Sequence, residues 1–145
     1  MTQHELKIRE EIRDRKAKYC RYLDTKQFDN WEALFCADAR ITYYGPDGEV
    51  LLDFKDVTEF SRLTRTLFDT TRTIHQVHNS EIIVITNEEA HAIWSMEDWH
   101  IYSPAKENPA KSMNGFGHYY ETWRLIEGLW RIARLELRRT ILQLE

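Results

Sequence analysis

Histidine, aspartate and tyrosine are the side chains in this sequence with chemistry to offer, and their spacing narrows what that chemistry is. Five of the six histidines, His75, His78, His91, His100 and His118, fall in the central and late part of the chain. An imidazole changes charge near neutral pH, so beside a carboxylate it suits proton transfer or metal ligation. His75 lies in Thr-Ile-His-Gln-Val-His-Asn, where strand alternation sends His75, Val77 and Asn79 to one face and Ile74, Gln76 and His78 to the other. Further on, Trp94, Met96, Asp98, His100 and Tyr102 share a face, and so do Phe116, His118 and Tyr120. The same parity puts Trp99, Tyr119 and Trp123 on opposite faces. Asp24 follows an apolar helical stripe, one turn beyond Cys20, and should sit at the inner end of that helix.

Each of these residues also has a plainer role open to it. Asp24-Thr25-Lys26-Gln27 fits a capping box, with Asp24 capping a following helix. A histidine on a half-apolar strand is commonly a satisfied core or surface residue. One carboxylate and three histidines could ligate zinc or iron, but their spacings match no short ligand motif, so no metal is expected. No phosphate-binding glycine loop, GxSxG elbow, HExxH or CxxC occurs. His4, His78 and His91 are expected to be bystanders.

The elements that must position these groups follow from periodicity. Ile8, Ile12, Tyr19 and Leu23 form one stripe of a helix over 3–23, and Phe28, Trp31, Leu34 and Phe35 mark a second over 27–37. Ile41 to Tyr44 is a strand, Pro46-Asp47-Gly48 a turn, and Val50 to Leu52 a short returning strand. Val57, Phe60, Leu63, Leu67 and Phe68 make a third amphipathic helix over 55–69. Strands follow over 71–86, 90–102, 113–126 and 129–138, with a loop over 104–112 and a hairpin turn at Glu127-Gly128. Helices first and antiparallel strands after give an α+β layout, with a curved sheet wrapped around three N-terminal helices and a pocket at one end.

Composition sets the outer bounds. A chain of 145 residues fits one domain, 1–145, and folding would bury roughly 68% of its unfolded surface. With 42% hydrophobic and 12% aromatic residues, disorder is excluded. The net charge of −4 argues against nucleic acid or an anionic membrane as partner. No apolar run approaches the roughly 20 residues of a membrane span, and the opening MTQHELKIREEIRDRKAK is too charged for a signal peptide. Two cysteines make no disulfide framework, so a cytoplasmic setting is expected. An aromatic outer sheet face would be an exposed apolar patch, which points to a homo-oligomer.

Taken together, the chain resembles the NTF2-like, SnoaL-like superfamily, and within it the scytalone dehydratase group. Tyr22-Leu23-Asp24-Thr25-Lys26-Gln27-Phe28-Asp29 is similar to the segment that carries that group's catalytic Asp, which falls on Asp24. Arg40-Ile41-Thr42-Tyr43 resembles its first strand, whose water-holding Tyr falls on Tyr43. Thr73-Ile74-His75 looks like the strand of the catalytic His, and a second active-site His falls on His100. Gly128-Leu129-Trp130-Arg131-Ile132-Ala133 is similar to the closing hairpin of the whole superfamily. The hexachlorocyclohexane dehydrochlorinase and the bile-acid dehydratases are also similar at Asp24 and His75. Two departures leave the substrate open: Leu23 stands where the dehydratase has Tyr, and Gly117-His118-Tyr119-Tyr120 lacks its substrate-binding Ser and Asn.

What the resemblance implies is an NTF2-like cone and elimination of water without cofactor or metal. Asp24 would hold one nitrogen of His75, the other nitrogen would take a proton next to a carbonyl, Tyr43 would polarise the carbonyl oxygen, and His100 would protonate the departing hydroxide. Tyr19, Trp94, Met96, Asp98, Phe116, His118 and Tyr120 would contact a ring-containing, mostly apolar substrate of polyketide or steroid type. A ketosteroid-type isomerase, a polyketide cyclase, a non-catalytic ligand binder and a dioxygenase small subunit are alternatives on the same fold. Dimers and trimers both occur among the relatives.

Overall fold

A capping box opens the molecule: the Thr2 hydroxyl accepts from the Glu5 amide and the Glu5 carboxylate accepts from the Thr2 amide. The helix it starts, α1 (Gln3–Asp24), buries Ile8, Ile12, Lys16, Tyr19, Cys20 and Leu23. The structure is a computed structural model and describes residues 1–104 and 111–145. After α1 come α2 (Phe28–Glu32), β1 (Phe35–Tyr44), β2 (Val50–Phe54), α3 (Val57–Phe68), β3 (Arg72–Thr86), β4 (Glu89–Ile101), β5 (Ser112–Ile126) and β6 (Leu129–Leu144). Most of the loop expected over 104–112 lies outside the described residues.

The six strands form one mixed sheet in the order β2-β1-β6-β5-β4-β3. Only β1 and β6 run parallel; every other neighbouring pair is antiparallel. The β5–β6 hairpin turns on Glu127 (φ 52°) and Gly128 (φ 79°), the paired left-handed residues of a two-residue turn. This is the expected α+β architecture of helices packed into a curved sheet.

Four elements differ from expectation, among them β1, which begins at Phe35 rather than Ile41. The second helix stops at Glu32 because Leu34 and Phe35 are drawn into the sheet, where Phe35 pairs with Ile132 and the Leu34 carbonyl accepts from the Ile132 amide. A short apolar run fits helix or strand equally well, and sheet pairing decided it. Strand β6 runs to Leu144 rather than ending at residue 138, and so carries Arg139 and Leu142 to the cavity. The last difference is the phase of β5. In an antiparallel ladder opposed residues share a face, and Asp98 opposes Gly115, Met96 opposes Gly117 and Trp94 opposes Tyr119. Tyr119 and Trp123 therefore point inward, while Phe116, His118 and Tyr120 point outward. Aromatics occupy both faces of this strand, so apolar counting alone could not set its phase.

The stripe of α1 has a charge in the middle. Lys16 Nζ lies 2.5 Å from Glu121 Oε2 of β5, and both side chains are fully buried. The other oxygen, Glu121 Oε1, accepts from the indoles of Trp94 (2.6 Å) and Trp123 (2.9 Å). The ammonium also sits 3.7 Å from the ring centres of Tyr19 and Tyr119. Removing one partner of such a pair leaves an uncompensated buried charge. Lys16→Met is expected to lower unfolding free energy by about 3–5 kcal/mol, with the Lys16→Met, Glu121→Gln double variant recovering most of the loss, as read by urea denaturation.

Candidate active site

Asp24 is the last residue of α1, and Thr73 and His75 alternate inward on the facing strand β3. Asp24 Oδ1 accepts from His75 Nδ1 (2.7 Å) and from the Thr73 hydroxyl (3.0 Å), and Oδ2 accepts from the His75 backbone amide (2.9 Å). The carboxylate therefore does not cap the next helix. Gln27 occupies that N-cap without a side-chain bond, and Lys26, at φ 61°, turns the chain away from Asp24. A carboxylate only accepts, so His75 Nδ1 carries the proton, and in the neutral imidazole the lone pair is left on Nε2.

His75 Nε2 is 4.0 Å from Asp98 Oδ2, and His100 Nε2 is 3.0 Å from the same oxygen. Arg139 grips Asp98 from the far side with two parallel bonds, Nη1 to Oδ1 at 2.8 Å and Nη2 to Oδ2 at 2.9 Å. The guanidinium reaches β4 by crossing β5 at Gly115, where a Cβ would collide with Arg139 Nη1. Burial alone would raise the Asp98 carboxyl, but the Arg139 guanidinium and the His100 N–H hold it well below the usual carboxylate range. Burial lowers the His100 imidazole below its ordinary value despite the bond to Asp98, so His100 rests neutral.

His75, Asp98 and His100 bring their donor atoms within 4.8 Å of one another, close enough to suggest a metal triad. The donor set argues otherwise, because both Asp98 oxygens already face a guanidinium whose charge would repel a cation.

These groups line a cavity of about 320 Å³ whose remaining wall is mainly apolar. Tyr19 and Trp31 enter from the first two helices, Phe60 and Phe68 from α3, and Tyr43 from β1. Phe68 packs edge-on against His100, with ring centres 5.0 Å apart. Burial pushes the Tyr43 phenol up to about 12, so it remains a neutral donor. Burial likewise pushes the Cys20 thiol up to about 11, which removes it as a nucleophile. A larger depression of about 610 Å³ lies on the outer sheet face around Ile74, Trp99, Ile101 and Phe116, and holds no histidine.

Of the expected site residues, the structure gathers Asp24, Tyr43, His75, His100, Tyr19 and Asp98 around the inner cavity. Trp94 and Met96 face inward but are buried deeper, where the Trp94 indole serves Glu121. Phe116, His118 and Tyr120 are corrected outright: the phase of β5 puts them on the outer face, away from any substrate in the cavity. His78 and His91 lie outside as expected, beside Glu97 and Glu89. Sequence reasoning missed Arg139, although Leu135, Leu137 and Arg139 alternate on one face and Gly115-Phe116-Gly117 leaves the space it crosses.

A family model described as SnoaL-like domain matches residues 4–136. A curated relative, "Probable cyclase FGR4" of Gibberella zeae, is 27% identical over 134 residues, covering 88% of each chain. Among solved structures, a "Putative Scytalone Dehydratase" from Novosphingobium aromaticivorans matches with a TM-score of 0.84 at 24% identity, over 99% of this chain and 91% of that one. A hexachlorocyclohexane dehydrochlorinase, LinA type 2, matches with a TM-score of 0.80 at 16% identity, over 98% of this chain and 91% of that one. These structural likenesses establish the shared fold.

Asp98 and His100 both refuse protons that the unfolded chain accepts, near pH 4 and pH 6.5 respectively in roughly ordinary terms. Stability is therefore expected to fall as pH drops below about 6.5, and more steeply below about 4. Arg139→Gln should lower stability at neutral pH by roughly 3 kcal/mol or more and flatten the slope below pH 4, because Asp98 then loses the bonds that depress it. Urea titrations across the pH range read both effects.

Proposed function

The chain belongs to the SnoaL-like family, and on that premise we propose that it is a cofactor-independent lyase that removes water from a cyclic carbonyl compound. The observation that carries this reading is the Asp24–His75 pair, at 2.7 Å, with its free imidazole nitrogen on a largely apolar cavity. In the proposed reaction His75 Nε2 takes a proton from the carbon next to the carbonyl, and Asp24 stabilises the imidazolium that forms. The C–H electron pair moves into an enolate whose oxygen receives a hydrogen bond from Tyr43, directly or through water. Collapse of the enolate forms the C=C bond and breaks the C–O bond at the next carbon. The imidazolium then returns its proton to the departing oxygen, giving water. A single proton carrier serves both steps, so hydrogen and hydroxyl leave from the same face of the ring.

A cavity of about 320 Å³ is near the low end of small-molecule sites, which supports a compact ring system. A second reading, cyclase or isomerase, is favoured by the cyclase among the relatives. The same base beside a carbonyl, with no group positioned to depart, would do that chemistry. A non-catalytic binder or structural subunit gives no role to a buried imidazole presenting a free lone pair to the cavity.

For partners, we propose a second copy of the chain on the outer sheet face. Ile74, Trp99 and Ile101 are each more than half exposed there. Arg72 and Glu97 on the same depression offer opposite charges that a two-fold arrangement would pair. Among the described residues no helix is long and apolar enough to cross a membrane, and Cys20 and Cys36 are both free thiols, which fits the reducing cytoplasm we assign.

Three measurements test these proposals. His75→Ala and Asp24→Asn are each expected to cut turnover of a β-hydroxy ring ketone by roughly 10²–10⁴-fold with unchanged circular dichroism. Loss of water by mass separates lyase from isomerase, which would instead leave solvent deuterium in a product of unchanged composition. Trp99→Glu is expected to lower the mass measured by light scattering without altering the fold; an unchanged mass discards the outer-face interface.

A further inference from the structure

Asp98 faces two imidazoles but treats them differently. It lies at hydrogen-bond distance from His100 Nε2, at 3.0 Å, and beyond it from His75 Nε2, at 4.0 Å. Its two oxygens are fixed by the bidentate Arg139, so the carboxylate cannot turn away or take up a proton to become a donor. The hydrogen in the short contact therefore belongs to His100 Nε2. A neutral imidazole protonated at Nε2 carries its lone pair at Nδ1. Among the described residues the charged and titratable groups around His100 are Asp98, Arg139 and His75, and Phe68 covers its ring edge-on. Among the described residues no partner meets Nδ1, and the ring lines the cavity.

We propose that the Arg139–Asp98 clamp fixes His100 as a hydrogen-bond acceptor, so that the cavity selects substrates carrying a hydroxyl donor within reach of His100 Nδ1. His100 is then a specificity-determining residue rather than the acid that protonates the leaving group, and Arg139 is a positioning residue that acts through Asp98. Resting on the dehydration reading, the role becomes specific. A substrate hydroxyl that donates to His100 Nδ1 turns its own lone pairs away from that ring and toward the His75 imidazolium, the group that must protonate it. The substrate class is a hydroxylated ring ketone, and ethers or esters of the same skeleton are poor ligands.

The test needs no turnover, so failure to find dehydration of any ring ketone would count against the proposed function alone. Nitrogen-15 NMR of the full chain at neutral pH should show His100 neutral, with Nε2 protonated and Nδ1 of the free pyridine type. An Nδ1-protonated tautomer or an imidazolium overturns the proposal. In binding measurements with 2-naphthol and 2-methoxynaphthalene as probes, the wild-type protein should prefer the naphthol by about tenfold, the worth of one hydrogen bond. His100→Phe, which keeps a ring against Phe68, should abolish that preference while still binding the methyl ether. His75→Phe should retain it. Preference surviving in His100→Phe, or lost only in His75→Phe, overturns the assignment. Arg139→Gln should mix the His100 tautomers in the same spectra; an unchanged Nε2-protonated His100 removes Arg139 from the role.

Discussion

A charge in the middle of a hydrophobic stripe must find its partner or the stripe cannot be buried. That requirement, met by Lys16 and Glu121, fixes how α1 lies on the sheet. A purely apolar helix face could slide or rotate by a turn at little loss, since dispersion and burial are not directional. The ammonium cannot, because only one position gives it the carboxylate and the two tyrosine faces together. Glu121 is held in turn by two indoles, so the ion pair is keyed to β4 and β5 at once. Two turns further along the same helix lies Asp24. The angular setting made at Lys16 thus delivers a carboxylate to within hydrogen-bond length of His75.

The site itself is organised by unequal treatment of similar groups. Two aspartates and two histidines stand in one cavity, yet each has a different environment. Asp24 is partly exposed and held by three donors, while Asp98 is buried and gripped by a guanidinium. His75 binds its carboxylate through Nδ1 and His100 through Nε2. The two rings lie with centres 5.4 Å apart, and each engages its carboxylate through a different nitrogen. Such differentiation lets like residues take different parts in one reaction at one pH.

Much of this was legible from the residues in order. The long α1, the third helix, the four late strands and the Glu127-Gly128 turn all followed from periodicity and turn chemistry, and the Asp24–His75 pairing followed from a resemblance. What stayed hidden depended on contacts distant in sequence. Phe28, Trp31, Leu34 and Phe35 suit a helix until Ile132 arrives to pair with Phe35. The phase of β5 is ambiguous because aromatics sit on both of its faces, and the ladder to β4 resolves it. Lys16 falls in the seven-residue gap between Ile12 and Tyr19, a gap that in hindsight marks a buried position filled by a charged residue. Arg139 was lost with the end of β6, since a strand of Arg, Thr and Gln looks like a solvated tail until Asp98 is seen across Gly115.

The one parallel seam in the sheet, between β1 and β6, has a bearing on how the molecule comes into being. Strands β3 to β6 join through successive antiparallel pairings between chain neighbours, so they can zip together early. The seam brings Ile41 beside Leu135, closing a loop that contains most of the protein. Asp24 comes from α1 and Arg139 from β6, so the cavity joins side chains more than a hundred residues apart in the chain. Until β6 is in place, Asp98 has no guanidinium to hold it. The strand that closes the sheet is thus also the one that brings Arg139 to Asp98.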